Sequence, residues 1–515
     1  MDNHKEPRVV VVGAGLAGIG ASTRLYELGF RDVSLLEGSD RVGGRTRSRE
    51  FGRGIIDLGA TWIHGPSPGN AVFRVASAHG LLEDGDDRAM RQAAVGKAHS
   101  KGARPLAYWT NLGRTNDVKA EAASSYYEEL IEDVQKMFRS DQEVHSKHAG
   151  LSVGQYIKQQ VAKRVADEWS KDDEELLRIK LGTLSMRLKE EASISGANSM
   201  DQVDLISFGE YVALPGEDCV FPRGYSSLVD SLLQRFPRER VLLNKNVQCI
   251  NWAGMDCKDG QSRVRVTCEG GESFFADHVI VTVPLGYLKN HHSTMFEPSL
   301  PTSKVEALEN LGFGTVNKIF LEFSEPFWNA GLEYVRLVWD DESPLKVKQQ
   351  QFPLEWERKI QGFQVLQPPE RYGHVICLWI SGKESEYVEE LPDEEVLQRL
   401  MKLLHMFTGN AHISEPLQMF RTRWHNNPYM LGSYSYVKVG SSGNDVSELA
   451  SPLPQPPFQE KQLKPQLLFA GEATHRYFYS TAHGALSSGW REAQRLALLY
   501  GREQDYSEEW SPSSA

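Results

Sequence analysis

Three glycines, Gly13, Gly15 and Gly18, stand in the spacing G-x-G-x-x-G directly after the apolar run Val9–Val12. Such a strand-to-helix turn brings backbone amides against a pyrophosphate. The first glycine permits the turn, the second the close approach, and the third the packing of helix on strand. Ala17 belongs to the same segment, and Glu37 ends the next strand-like run, Val33–Leu36, where a carboxylate can take the hydroxyls of a ribose. A dinucleotide is the ligand these residues fit. In GSDRVGGRTRS, which follows at once, Gly43 and Gly44 allow a second close backbone approach and Arg45 can neutralise a phosphate. Further on, LGATWIHGPSPGN carries Thr61, Trp62 and His64. His64 by itself suits a base, a metal ligand, a substrate contact or a loop residue. No second ligand stands at suitable spacing, so no metal site is expected.

The elements that must position these groups follow from periodicity. Val9–Val12 reads as a strand buried on both faces, Ala21–Leu28 as helix with Gly29 as its stop, and Val33–Leu36 as the second strand of a βαβ unit. SSYYEELIEDVQKMF sets Tyr127, Leu130, Ile131, Val134, Met137 and Phe138 at helical spacing, and DDEELLRIKLGTLSMRL is a second charged helix. Strand patterns return in VLLNKNVQCINW, SRVRVTCE, DHVIVTVPLGYL and VNKIFLEFSEPFW, and the stretch 342–370 is charged and rich in proline. QLLFAGEATHRYFYSTAHGALSSGWREAQRLALLY is again strand, turn and helix. Nucleotide-type signals thus sit at both ends of the chain and in its middle. The expected fold is α/β: a discontinuous Rossmann-like cofactor domain (1–90, 222–300 and 462–503) interleaved with an α+β substrate domain (91–221 and 301–461). That second domain carries a mixed sheet flanked by helices, and a flexible tail follows (504–515).

At 515 residues and 40% hydrophobic the chain can bury the cores of two domains. Its net charge of -12, without a Lys/Arg block, gives no nucleic-acid surface, and no run of about 18 apolar residues predicts a membrane span. Cys219, Cys249, Cys257, Cys268 and Cys377 are odd in number and form no CxxC pair, as in a reduced intracellular protein. The polar start MDNHKEP is no signal peptide, and the final Ser-Ser-Ala is not a peroxisomal tripeptide of the Ser-Lys-Leu type. A cytoplasmic location is expected, with the peroxisome as the alternative. A monomer is expected as well.

The acidic residue followed by R-x-G-G-R, then GATWIHG and LLFAGEATHRYFYSTAHGALSSGWREA, resembles the flavin amine oxidase family over nearly the whole chain. FGTVNKIFLEFSEPFW, RTRWHNNPYMLGSYSYVKVGSSG and NSMDQVDLISFGEY are similar to its animal polyamine oxidases, and within those to the branch acting on N1-acetylated substrates rather than to the spermine oxidases. The resemblance implies FAD. Glu472, Thr481, Ala482, Val247, Thr61 and Trp62 match cofactor-contacting positions, and Lys318 matches a lysine that holds a water near flavin N5. His64 falls where the relatives face the substrate amine. Glu191 matches a position that meets a substrate amine, with Glu190 as the alternative register. Trp424 and Tyr434 are aromatic walls near the flavin, Tyr434 on the substrate side. Ser433 stands where the monoamine oxidase branch has a cysteine bonded to FAD, so FAD is expected to be noncovalent.

The implied function is oxidation of a secondary amine of N1-acetylspermine or N1-acetylspermidine by O2, giving spermidine or putrescine, 3-acetamidopropanal and hydrogen peroxide. Three readings compete with it. They are a spermine oxidase, a histone-lysine demethylase of the same superfamily, and a catalytically silent flavin-binding scaffold.

Overall fold

A computed structural model describes residues 6–82, 106–114, 117–252, 264–346, 353–454 and 464–502. Cys257, the expected domain boundary at 90/91 and the tail 504–515 lie outside them.

Strand β1 (Val9–Val12), helix α1 (Leu16–Glu27) and strand β2 (Val33–Leu36) form the βαβ unit. β1 sits inside a parallel five-stranded sheet, in the order Leu467–Phe469, His278–Val281, β1, β2, Val241–Leu242. A strand covered on both faces has no polar side to show, and all four valines of β1 are buried. The five strands come from three distant parts of the chain. The C-terminal helix Ala482–Leu499 closes the arrangement by packing on α1. Contact there is close: a Cβ at Gly489 would stand 2.1 Å from the carbonyl oxygen of Ala17.

A second, four-stranded sheet runs Ser273–Ala276, Val264–Cys268, Val247–Asn251, Phe296–Glu297. It shares an apolar core with the outer face of the parallel sheet through Val10, Val12, Val279 and Val281.

The remaining body is built on a seven-stranded mixed sheet whose order begins Gln418–Arg421, Val316–Phe323, His374–Ser381, Gly362–Val365, Tyr334–Val338 and then Leu106–Thr110. Of these strands only Val316–Phe323 was expected from sequence, and Gly362–Val365 falls inside the charged, proline-containing stretch 342–370. Tyr334–Val338 and Gly362–Val365 are short and bordered by loop, which hides their pattern. Helices Asp117–Met137, Val153–Asp167 and Glu174–Ser195 form a separate layer around Tyr127, Leu130, Val134, Ile157 and Leu184. Ser152 starts the middle helix with a capping box to Gln155, and Gly196 ends the last one with φ 77°, a left-handed stop that glycine adopts without strain. No helix among the described residues is long and apolar enough to cross a membrane.

Candidate active site

A cavity of about 310 Å³ lies at the carboxyl ends of the parallel strands and reaches the seven-stranded sheet. Gly13, Gly15, Ala17 and Glu37 line it on the sheet side. Gly18 does not; it lies beneath the turn, where a Cβ would stand 1.8 Å from the Gly13 carbonyl oxygen. Around Gly15, by contrast, a Cβ would meet no protein atom within 4 Å. That open ground is cavity, and it is the space a bound pyrophosphate needs. Glu37 fixes the turn, since its Oε2 accepts from the Ala14 amide at 2.8 Å and its Oε1 from the Ser39 amide and hydroxyl.

Gly44, Arg45 and Val247 line the same cavity. Arg45 donates to the Ser433 carbonyl and to Glu472 Oε1, at 2.8 and 2.9 Å. Glu472 also lines the cavity, yet it is buried and its Oε2 accepts from the Ser435 hydroxyl at 2.6 Å and the Ser480 amide at 2.8 Å. Its visible work is to tie three distant segments together. Ser480, held by that bond, has φ 66°, an uncommon conformation for a residue with a Cβ, and it sets the entry to the C-terminal helix. Thr481 caps this helix by accepting from the Gly484 amide at 2.9 Å. Thr481 and Ala482 therefore bring a helix N-terminus, with its partial positive charge, to the cavity wall.

Lys318 comes from the long strand Val316–Phe323, whose two faces are both buried. The side chain is 7% exposed, and Nζ donates to the carbonyls of Asp57 at 2.9 Å and Gly59 at 2.7 Å and to the Thr61 hydroxyl. Burial pushes its pKa below that of an ordinary lysine. Burial also pushes the Asp57 carboxyl up to about 6, against the pull of its bonds from Ser48 and Tyr225. Gly59 passes so near Arg45 that a Cβ would stand 1.7 Å from that residue's carbonyl oxygen. Trp62 stacks on Trp379 with ring centroids 5.7 Å apart, and Trp379 is the cross-strand neighbour of Lys318. Trp424 and Tyr434 line the cavity too. The Tyr434 hydroxyl donates to the Ser193 carbonyl at 2.6 Å, so the ring is fixed from behind.

His64 is half-exposed at the cavity, with Nδ1 2.8 Å from Asp218 Oδ2. A carboxylate only accepts, so Nδ1 carries the proton and the neutral ring offers Nε2 as an acceptor. Asp218 Oδ1 accepts from the Gly65 amide at 3.2 Å, and the Asn70 amide group holds the His64 carbonyl at 2.7 Å. Sequence reasoning missed Asp218 and Trp379. The continuous apolar run HVICLWIS could have flagged the strand that carries the tryptophan; no local pattern marks the aspartate.

Glu190 and Glu191 separate cleanly. Glu190 is bound into ion pairs with Arg187 at 2.9 Å and Arg336 at 3.0 Å. Glu191 lies outside the cavity lining but three residues before Ile194, which lines it, on one helix face. Burial pushes the Glu191 carboxyl up to about 7, with Arg187 pulling the other way, and its charge acts on the phenol of Tyr479.

The pattern of the family described as flavin containing amine oxidoreductase matches residues 16–497. The chain is 43% identical to the peroxisomal N(1)-acetyl-spermine/spermidine oxidase of Bos taurus over 98% of this chain and 97% of that protein. It is likewise 43% identical to the protein of that name from Homo sapiens, over 96% and 95%. Among solved structures, cyclohexylamine oxidase from Brevibacterium oxydans IH-35A superposes with TM-score 0.69, covering 96% of this chain and all of that one at 16% identity, which shows a shared fold.

Proposed function

The chain belongs to the flavin-containing amine oxidoreductase family and is an FAD-dependent amine oxidase, and from that premise we propose that it oxidises N1-acetylated polyamines at a secondary amine. The observation that carries the reading is a single cavity that joins the Gly15–Glu37 cradle to Lys318, the tryptophan pair and His64. The cradle suits FAD because Gly15, whose missing side chain would occupy empty cavity, stands in the turn where a pyrophosphate approaches.

When bound, FAD accepts the hydride equivalent and passes the electrons to O2, giving hydrogen peroxide. The chain's residues supply placement and charge. Gly13, Gly15, Glu37, Gly44, Arg45 and Val247 hold the nucleotide half; Thr61, Trp62, Trp424, Thr481 and Ala482 meet the flavin half. The amine must lose its proton before a carbon–hydrogen bond can give up a hydride, since a protonated nitrogen has no lone pair to stabilise the imine. His64 takes that proton on Nε2, and Asp218 stabilises the resulting imidazolium through Nδ1. Trp62 and Trp379 wall off the apolar methylenes, and Tyr434 lines the same cavity. Glu191, rather than the paired Glu190, is the carboxylate that meets a distal ammonium, because no arginine or lysine among the described residues pairs with it as Arg187 and Arg336 pair with Glu190. Ser433 exchanges hydrogen bonds with both backbone groups of Val316 and offers no thiol to FAD, so the cofactor is noncovalent. The 43% identical relatives bear peroxisomal names, which favours that compartment over the cytoplasm. Imaging the chain with an N-terminal fluorescent tag and its own C-terminus decides between the two.

Anaerobic mixing with N1-acetylspermine should bleach the flavin faster than mixing with spermine, and aerobic turnover should release peroxide. The reverse order makes the chain a spermine oxidase. Bleaching by neither makes it a silent flavin scaffold.

A further inference from the structure

Phe469 ends an edge strand of the parallel sheet, and the Ala470 amide adds a last rung by donating to the Val281 carbonyl at 3.0 Å. The chain then leaves the sheet. Gly471 turns it at φ 132°, a conformation that glycine adopts without strain, and Glu472–Thr474 form a short helical turn. Gly471 and Glu472 both line the cavity. Beyond Ala470 the place of this loop depends on side chains rather than on the sheet.

Two of those side chains come from the C-terminal helix Ala482–Leu499. The Ser488 hydroxyl accepts from the Gly471 amide at 2.8 Å. Arg491 donates from Nη2 to the Phe469 carbonyl and from Nη1 to the Thr474 carbonyl, both at 2.8 Å, and from Nη2 to the Thr474 hydroxyl at 3.2 Å. One guanidinium therefore bonds the chain on both sides of residues 470–473. Its planar fork is rigid, so it fixes the span between the two carbonyls as a flexible ammonium cannot. The fork is itself oriented. Nε donates at 2.6 Å to Glu492, a fully buried carboxylate that also accepts from Arg495 at 2.8 Å.

Arg491 lies outside the cavity lining, whereas Thr481 and Ala482, about three turns earlier, belong to it. The one helix thus sets two parts of the wall: its own N-terminus and, through Arg491, the loop that carries Glu472. We propose that Arg491 is a positioning residue for the cofactor. By bonding both ends of the loop it holds Gly471 and Glu472 at the wall of the FAD cavity, and it does so through the shape of its fork rather than through its charge. The inference needs FAD and not the polyamine reading.

The test follows release of FAD from the purified holoprotein after dilution, by flavin fluorescence, beside the visible spectrum of the bound flavin. No amine enters, so an error about the substrate leaves the result untouched. Loss of charge-assisted bonds to the loop should speed release roughly 10- to 100-fold in Arg491→Met. Arg491→Lys keeps the charge and loses the fork, and it should fall in the same range. Arg495→Met removes an equal charge and a bond to the same Glu492 but no bond to the loop, so release should stay within about twofold of the parent. The flavin spectrum should shift in both Arg491 variants and not in Arg495→Met. Combining Arg491→Lys with Glu472→Gln should give release about as fast as the faster single variant, because both residues act on one loop. Should Arg491→Met not accumulate, Arg491→Lys and its double variant carry the comparison. Release from Arg491→Lys at the parental rate overturns the proposal, since charge alone then suffices. Equal acceleration in Arg495→Met overturns it as well, and so do effects that multiply in the double variant.

Discussion

Nδ1 of His64 and Oδ2 of Asp218 meet at 2.8 Å although 154 residues separate them in the chain. The contact turns a loop histidine into one with a defined tautomer, in which a neutral ring has Nε2 as its acceptor. The loop carrying Asp218 is itself held at the site, since Leu214 packs against Gly65 and the Val212 amide donates to the Tyr477 carbonyl at 3.1 Å.

Replacing Asp218 by asparagine keeps the shape and removes the charge. Because both side chains are substantially exposed, the coupling is worth about 1 kcal/mol, and kcat/KM for N1-acetylspermine should fall roughly fivefold. FAD content should not change. Stopped-flow reduction across pH locates the loss: it should be in the step that needs the neutral amine, and a loss confined to reoxidation would move His64 out of that role.

Glu191 makes a stability prediction with a definite sign. Its carboxyl rises from 4.5 to about 7 on folding. Between those values the folded chain keeps a proton that the unfolded chain has lost, so stability falls as pH rises through the window and the penalty is complete above it. Glu191→Gln should therefore raise the unfolding temperature at about pH 8 and leave it unchanged near pH 4, a difference of at most about 3 kcal/mol. Adding polyamine should stabilise the parent more than the variant at the higher pH, because an ammonium offsets the buried charge. Thermal melts with and without ligand give all four values.

Gly15 and Gly18 are three residues apart and should fail in different ways. Gly18→Ala forces a Cβ to 1.8 Å from backbone, so the protein should not accumulate in folded form. Gly15→Ala meets no protein atom, so the apoprotein should melt like the parent while FAD affinity drops by about two orders of magnitude or more. Differential scanning calorimetry on apoprotein and FAD titration by fluorescence separate the two. Equal FAD affinity in Gly15→Ala and the parent would place the pyrophosphate elsewhere.

Heating or acid should release yellow FAD into the supernatant, because Ser433 is occupied with Val316 on both sides of its hydroxyl. Flavin that stays with the precipitated protein would show a covalent link at another residue.

Much of the cofactor half was legible in the sequence, and the reason is physical. A strand buried on both faces leaves an uninterrupted apolar run, and a turn that admits a phosphate leaves glycines at fixed spacing, so Val9–Gly18 announces itself. Lys318 was found only through the family resemblance, because the alternating pattern of VNKIFLEF alone suits a lysine facing solvent, whereas in the fold both faces of this strand are buried. What was hidden depends on contacts across the fold. Asp218 sits in a polar loop with no periodicity. The carboxylate of Glu472 could be placed near the cavity, but its bonds to Arg45, Ser435 and Ser480 come from three segments that only the folded chain brings together. Choosing between Glu190 and Glu191 required knowing that Arg336, from a distant strand, claims the first.

The parallel sheet draws its strands from residues 9–36, 241–281 and 467–469, and the helix that closes it ends at residue 499. During synthesis β1 must therefore wait for residues 278–281, and the outer edge of His278–Val281 stays uncovered until residues 467–469 follow, when nearly the whole chain has left the ribosome. Folding through such long-range pairing is slow and exposes sticky edges meanwhile. Truncation just before residue 467 should thus yield insoluble protein rather than a weak enzyme, and supplying FAD during expression should raise the soluble fraction by capturing the sheet once its last strand arrives.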